Sequence, residues 1–135
     1  MGDHLVDAYR VFVTEVYDAL SAAGYPDLPQ TATTVFRDIE GAGSYVPDLA
    51  AQAGYSTDMM WAVVRELEAR GYVEVDGDKA RPAERGHAAY EAGRKALAET
   101  EARWAERLGA ERLSAFREVL AEIASYGGFG ANARR

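Results

Sequence analysis

Three observations predict the fold class. Residues 46–54 carry Pro47 near the start and Gly54 at the end, as a short helix would. Residues 56–70 open on Ser56, a good helix N-cap, and close on Gly71. Residues 72–75 then alternate as a strand and meet Asp76-Gly77, a strong hairpin signal. Two helices joined by a tight turn and followed by a β-ribbon make a mainly α fold, a winged helix-turn-helix with a short two-stranded hairpin. Longer helices at both ends flank it as helical arms.

The elements follow in order. Leu5, Tyr9, Phe12, Val13, Val16 and Leu20 recur at helical spacing and predict a first amphipathic helix over 4–20, ended by residues 21–26. Pro26 and Pro29 mark a loop, and 31–39 read as a second short helix that stops at Gly41-Ala42-Gly43. Ser44 opens the third helix. The fourth runs to about Arg70 with Met60, Val63, Val64 and Leu67 as its apolar stripe, which assigns Met60 to the core. Residues 78–82 return only as a very short strand. A long helix over 84–108 and another over 110–126 complete the fold, the last carrying Leu113, Phe116, Leu120 and Ile123. One domain over 1–126 is expected, with its reading head at about 31–86 and a loose tail over 127–135.

Composition narrows the function. The 135 residues are 48% hydrophobic, enough for a real core. No run approaches ~20 apolar residues, and Met1-Gly2-Asp3-His4 does not begin a secretory leader, so a cytoplasmic protein without membrane contact is expected. Cysteine is absent, which excludes disulfides, thiolate zinc sites and cysteine nucleophiles. The net charge of −7 argues against a protein coated in phosphate-binding charge, although a local basic patch survives on many acidic proteins.

Leu49-Ala50-Ala51-Gln52-Ala53-Gly54-Tyr55-Ser56, then Val64-Arg65-Glu66-Leu67-Glu68-Ala69-Arg70-Gly71-Tyr72-Val73, then Glu84-Arg85-Gly86 opening a long helix, resemble the MarR (multiple antibiotic resistance regulator) family over nearly the whole chain. The resemblance implies a homodimer whose first and last helices interleave. It also implies recognition helices in successive major grooves of double-stranded DNA, wings in minor grooves, and a small aromatic ligand between the dimerisation helices and the reading head. Two departures stand out. The recognition helix offers Ser56, Thr57, Asp58, Met59, Trp61 and Ala62 where the family usually presents Ser, Thr, Arg or Gln, and its first cation is Arg65. The wing is also short, with Asp76-Gly77-Asp78-Lys79-Ala80-Arg81 in place of a long hairpin with an Asp-x-Arg turn.

Over residues 56–86, Arg65, Arg70, Lys79, Arg81 and Arg85 face Asp58, Glu66, Glu68, Glu74, Asp76, Asp78 and Glu84, a net charge of −2 and a poor electrostatic footprint for DNA. The candidate DNA-binding residues are Ser56, Thr57, Trp61, Arg65, Lys79 and Arg81. Asp58 in the first turn also offsets the helix dipole. Trp61 stands roughly 100° around the helix from Met60 and either contacts a ligand, partner or thymine methyl or packs on a neighbouring helix.

The candidate ligand-binding residues are Tyr9, Arg10, Phe12, Tyr45, Tyr55 and Trp61: aromatic walls, with Arg10, or Arg37, to pair with an anion. Catalytic and metal signals are weak. His4 and His87 are the only histidines, and pairing of His87 with Glu91 reads as a solvated helix pair. Residues 128–133 match a dinucleotide fingerprint but follow a helix where that motif needs a strand. No cofactor, metal or catalytic residue is assigned.

The expected function is that of a dimeric, DNA-binding regulator responsive to a small aromatic ligand. The alternative is a winged-helix dimer whose DNA surface has degenerated and serves as a small-molecule binder, an interaction module or a pathway enzyme.

Overall fold

The structure is a computed structural model that describes residues 1–128; the expected tail beyond Gly128, with nearly all of the 128–133 glycine pattern, lies outside the described residues. The elements are α1 (Gly2–Ala22), α2 (Ala32–Phe36), β1 (Ser44–Tyr45), α3 (Val46–Ala53), α4 (Thr57–Ala69), β2 (Val73–Asp76), β3 (Lys79–Pro82), α5 (Glu84–Leu108) and α6 (Ala110–Tyr126). They form two compact units, Met1–Leu97 and the residues from Ala98 onward. Among the described residues no helix is long and apolar enough to cross a membrane.

In the first unit, α3 and α4 form the helix-turn-helix. Helix α3 closes on Gly54 at φ +72°, where the amides of Gly54 and Tyr55 bond back to Ala51 and Ala50. This left-handed stop satisfies the last carbonyls and turns the chain into α4. The Ser56 hydroxyl oxygen then accepts the Met59 amide at 3.1 Å, so Ser56 is the expected N-cap. Met60, Val63, Val64 and Leu67 are buried, as the stripe predicts. They close over Val35 of α2, Val46 and Leu49 of α3, and Tyr72 and Val73 at the start of the wing.

The wing differs from expectation. Ser44 does not open a helix: Ser44-Tyr45 is a strand pairing antiparallel with Ala80 and Lys79, so the sheet has three strands in the order β1-β3-β2. Tyr45 has extended backbone, and the Val46 amide bonds the Asp78 carbonyl at 2.9 Å, which starts α3 from the sheet edge. Two residues are too few to display period-two alternation. The β2–β3 register of Asp76 with Lys79 leaves Gly77-Asp78 as the loop, and Gly77 has φ +62°. The turn lies one residue beyond the Asp76-Gly77 signal because the glycine takes the first loop position, the type II′ preference. Helix α2 is shorter than the expected 31–39, and α1 extends past both expected ends.

The start of α5 is fixed by a backbone approach. A Cβ on Gly86 would stand 2.0 Å from the Tyr72 carbonyl oxygen and 3.2 Å from Phe36 Cε1. The same Tyr72 oxygen accepts the Ala83 amide at 3.0 Å. No side chain larger than hydrogen fits at 86 without moving backbone.

The second unit contains the end of α5, a turn at Gly109 and α6. Thr100 and Leu113 are buried, while Phe116, Val119, Leu120 and Ile123 form an exposed apolar stripe at spacings of three and four, with Ile123 55% exposed.

Gly86→Ala is expected to destabilise the fold by about 3 kcal/mol, because the clash is with backbone. Urea unfolding at fixed protein concentration measures it; a loss below about 1 kcal/mol would mean that α5 and the wing are not packed at this distance.

Candidate functional site

Two surfaces of the first unit are candidates for functional chemistry. The first is the outward side of α4. Thr57, Asp58, Ala62 and Arg65 are exposed along it. Trp61 is half-buried against the edge of the core, with the Arg65 guanidinium 5.3 Å from its ring centroid. One side of Trp61 packs inward, and the other carries a cation one turn on.

The five cations of the reading head all have partners within the chain. Arg81 is held by Glu74 across the wing, at 2.7 and 2.8 Å. Lys79 Nζ lies 4.9 Å from the Tyr45 ring centroid. Arg70 pairs with Glu66 at 2.8 Å and donates to the Asp27 carbonyl. Arg85 bonds Asp27 Oδ1 at 2.9 Å and Oδ2 at 3.2 Å, donates to the Arg70 carbonyl and stacks over Tyr72 at 4.2 Å. Arg65, Lys79 and Arg81 lie on exposed positions where a phosphate can compete for them. Arg70 and Arg85 serve the fold.

Asp27 is the hub of that network. Its Oδ1 accepts the Tyr72 hydroxyl at 2.5 Å. The Tyr72 hydrogen bond and then the Arg85 guanidinium hold its carboxyl below the ordinary carboxylate value. Burial, and then the bond to Asp27, push the Tyr72 phenol up to about 12.

The second surface is a cavity of about 420 Å³ built by α1, α2, α5 and the loop between the first two. Phe12, Val16 and Leu20 of α1, Phe36 of α2 and Leu97 of α5 give it apolar walls. Its polar groups are few. The Tyr17 hydroxyl donates to the Gln30 carbonyl at 3.1 Å and shares a 2.9 Å bond with Thr33 Oγ1. Burial raises the Tyr17 phenol above its ordinary value. Arg37 and Arg94 are the charged side chains of the lining, which contains no carboxylate. An apolar slot with two cations suits a flat aromatic anion.

Of the expected ligand residues, Tyr9 and Phe12 line this cavity. Arg10, Tyr45, Tyr55 and Trp61 do not. Arg10 faces Asp7 at 3.7 Å, Tyr45 lies on the wing edge under Lys79, and Tyr55 packs with Trp61 against the helix-turn-helix core. The aromatics flanking α3 are drawn to its core or to the sheet, whereas the cavity faces α1. Sequence reasoning missed Gln30, Thr33 and Arg94. Arg94 was within reach, because Tyr90, Gly93, Arg94 and Leu97 stand at i, i+3, i+4 and i+7 and share one face of α5. Among the described residues no three His, Asp or Glu side chains gather as metal ligands.

The lowered Asp27 value has a sign. Its contribution to stability is present above the unfolded value of about 3.9 and is lost as pH falls through the lower folded value. The stability gap between wild type and Asp27→Asn is therefore expected to be full at neutral pH and to shrink below about pH 4. Urea unfolding at stepped pH reads this out; a gap independent of pH would contradict the role given to the carboxylate.

No protein-family model matches this chain, and no curated protein does. Solved structures do. Rv2887, a MarR family protein of Mycobacterium tuberculosis, is 26% identical with a TM-score of 0.62, over 91% of this chain and 92% of its own. Structures of Rv2887 in complex with DNA and with salicylic acid are matched as well, each at 26% identity, with TM-scores of 0.65 and 0.63. The transcriptional repressor CouR bound to p-coumaroyl-CoA superposes at a TM-score of 0.72 with 22% identity, over 92% of this chain and 91% of that one. Ligand-free NadR superposes at 0.71 with 23% identity, over 94% and 95%. The helix-turn-helix, the short wing and the helices on either side of them together give this chain a MarR-like winged-helix fold.

Proposed function

We propose that the protein is a dimeric, DNA-binding transcriptional regulator of the MarR type, acting in the cytoplasm and responsive to a small aromatic anion. One observation carries the reading: an intact helix-turn-helix presents α4 outward, beside an apolar cavity whose only charged lining groups are Arg37 and Arg94. The similarity to Rv2887, with its DNA and salicylic acid complexes, supports it.

In this reading α4 enters the major groove by its first turns. The Thr57 hydroxyl and the Ala62 methyl meet base edges, Trp61 offers apolar surface to a thymine methyl, and Arg65 meets phosphate. Ser56 uses its oxygen as the cap and keeps its proton to donate. Lys79 and Arg81 reach the backbone from the wing. The apolar stripe of α6 and the exposed Leu5, Val6 and Val11 of α1 supply the surfaces that a second copy covers. Burying one aromatic ring contributes about 3 kcal/mol, and a charge-assisted bond from arginine contributes about 2 kcal/mol more. A small aromatic acid is thus a weak ligand, of about millimolar affinity or weaker once association entropy is counted.

A second reading has an observation in its favour. All five cations of the reading head are engaged within the chain, as they would be in a winged-helix dimer that binds only the small molecule.

Fluorescence anisotropy with duplex from the protein's own upstream region, with random duplex and with added salicylate separates the two. The regulator reading expects the upstream duplex to bind at least about 10³-fold tighter than random duplex, and salicylate to weaken that binding. Equal or absent binding of both duplexes, with salicylate still bound, establishes the second reading instead.

A further inference from the structure

We propose that Asp27 is the positioning residue through which occupancy of the α1–α2–α5 cavity sets the C-terminal end of the recognition helix; this rests on the ligand-responsive reading above. Two sets of contacts meet in one short loop. On the cavity side, Leu28 and Gln30 line the wall, and Tyr17 of α1 donates to the Gln30 carbonyl at 3.1 Å. On the reading-head side, Asp27 is held by both its backbone and its side chain. Its carbonyl accepts from Arg70, the C-cap of α4. Its carboxylate accepts from Tyr72 at 2.5 Å and from Arg85 at 2.9 and 3.2 Å, and Arg85 returns to the Arg70 carbonyl. The end of α4, the root of the wing and the first turn of α5 are thereby tied to one residue.

The chain length between the two sides leaves little slack. The Leu28 amide donates to the Tyr25 carbonyl at 3.3 Å, so residues 25–28 form a hydrogen-bonded turn with Asp27 inside it, and a shift of Leu28 strains that turn. Hydrogen bonds weaken steeply once heavy atoms separate beyond ~3.2 Å or the angle closes. A displacement of the loop by about an ångström therefore loosens the bonds to Arg70, Tyr72 and Arg85 together. The end of α4 is the place to detect it. Its stop depends on the Gly71 and Tyr72 amides bonding back to Glu68 and Leu67, and Arg70 and Tyr72 are the residues Asp27 grips. Coupling of this kind is reciprocal, so whatever reorients α4 also alters the cavity.

Amide hydrogen exchange on the intact protein, with and without saturating salicylate, tests the link in wild type and in Asp27→Asn. In wild type, salicylate is expected to change exchange by about fivefold or more at two segments, 27–33 and 66–73. In Asp27→Asn the response at 27–33 remains and the response at 66–73 is reduced several-fold, the Asp27 carbonyl still holding Arg70. Tyr72→Phe, which removes one hydroxyl and keeps the arginine pair, is expected to show a reduced response at 66–73 and serves if Asp27→Asn fails to fold. A wild-type response confined to 27–33, or an Asp27→Asn response equal to wild type at both segments, overturns the proposal, as does the absence of any response to salicylate. Duplex binding of the same wild-type sample is read separately: its absence alongside the expected exchange pattern removes the DNA-binding reading and leaves the Asp27 link standing.

Discussion

The Tyr72 carbonyl lies where a side chain on residue 86 would have to stand, and the reading head depends on that approach. Because residue 86 is glycine, α5 begins directly against the root of the wing, and its Arg85 reaches back over the Tyr72 ring to Asp27. The same approach buries Tyr72 completely and aims its hydroxyl at that carboxylate. Recognition helix, wing and long helix are thus held at one point by a backbone contact and a charged network. Either device alone would fix less. The backbone contact sets distance, and the network sets orientation.

This economy has an electrostatic consequence. Arg70 and Arg85 are bonded to Asp27 and to the end of α4, which leaves them less free than Arg65, Lys79 and Arg81 to meet a phosphate. Arg65, Lys79 and Arg81 remain exposed but rest on Trp61, Tyr45 and Glu74. Exposed pairs of this sort are worth at most about 1 kcal/mol, so a phosphate can displace them. On the regulator reading proposed above, such a surface would gain little from counterion release and rely more on the fit of α4 to base edges. The cavity lining carries Arg37 and Arg94 in an apolar wall, with Arg94 3.9 Å from Glu91 at an exposed position where an anion can compete for it.

The helix-turn-helix was legible in the sequence because its signals are local: Pro47 and Gly54 around α3, Ser56 and Gly71 around α4, and the Met60 to Leu67 stripe between them. Two kinds of feature were not. β1 is two residues long and exists only by pairing with β3, so no pattern in its own sequence announces it. The cavity wall and the Asp27 network join residues as distant in sequence as Asp27 and Arg85, which no spacing rule connects. Aromatic residues were visible but their directions were not: Tyr9 and Phe12 line the cavity, whereas Tyr45, Tyr55 and Trp61 turn to the wing or the core. The tally of charge over 56–86 was correct as a sum, yet it could not reveal that every cation in it is already engaged.

The salt dependence of duplex binding tests most directly whether these cations serve the fold more than the ligand. With the upstream duplex, the account predicts sequence-dependent binding whose log K falls with log salt at a slope of magnitude about 5 or less per dimer, as Arg65, Lys79 and Arg81 only partly engage phosphate. A slope near 9, the value if all five cations of each protomer neutralised a phosphate, with upstream and random duplex bound alike, would contradict it.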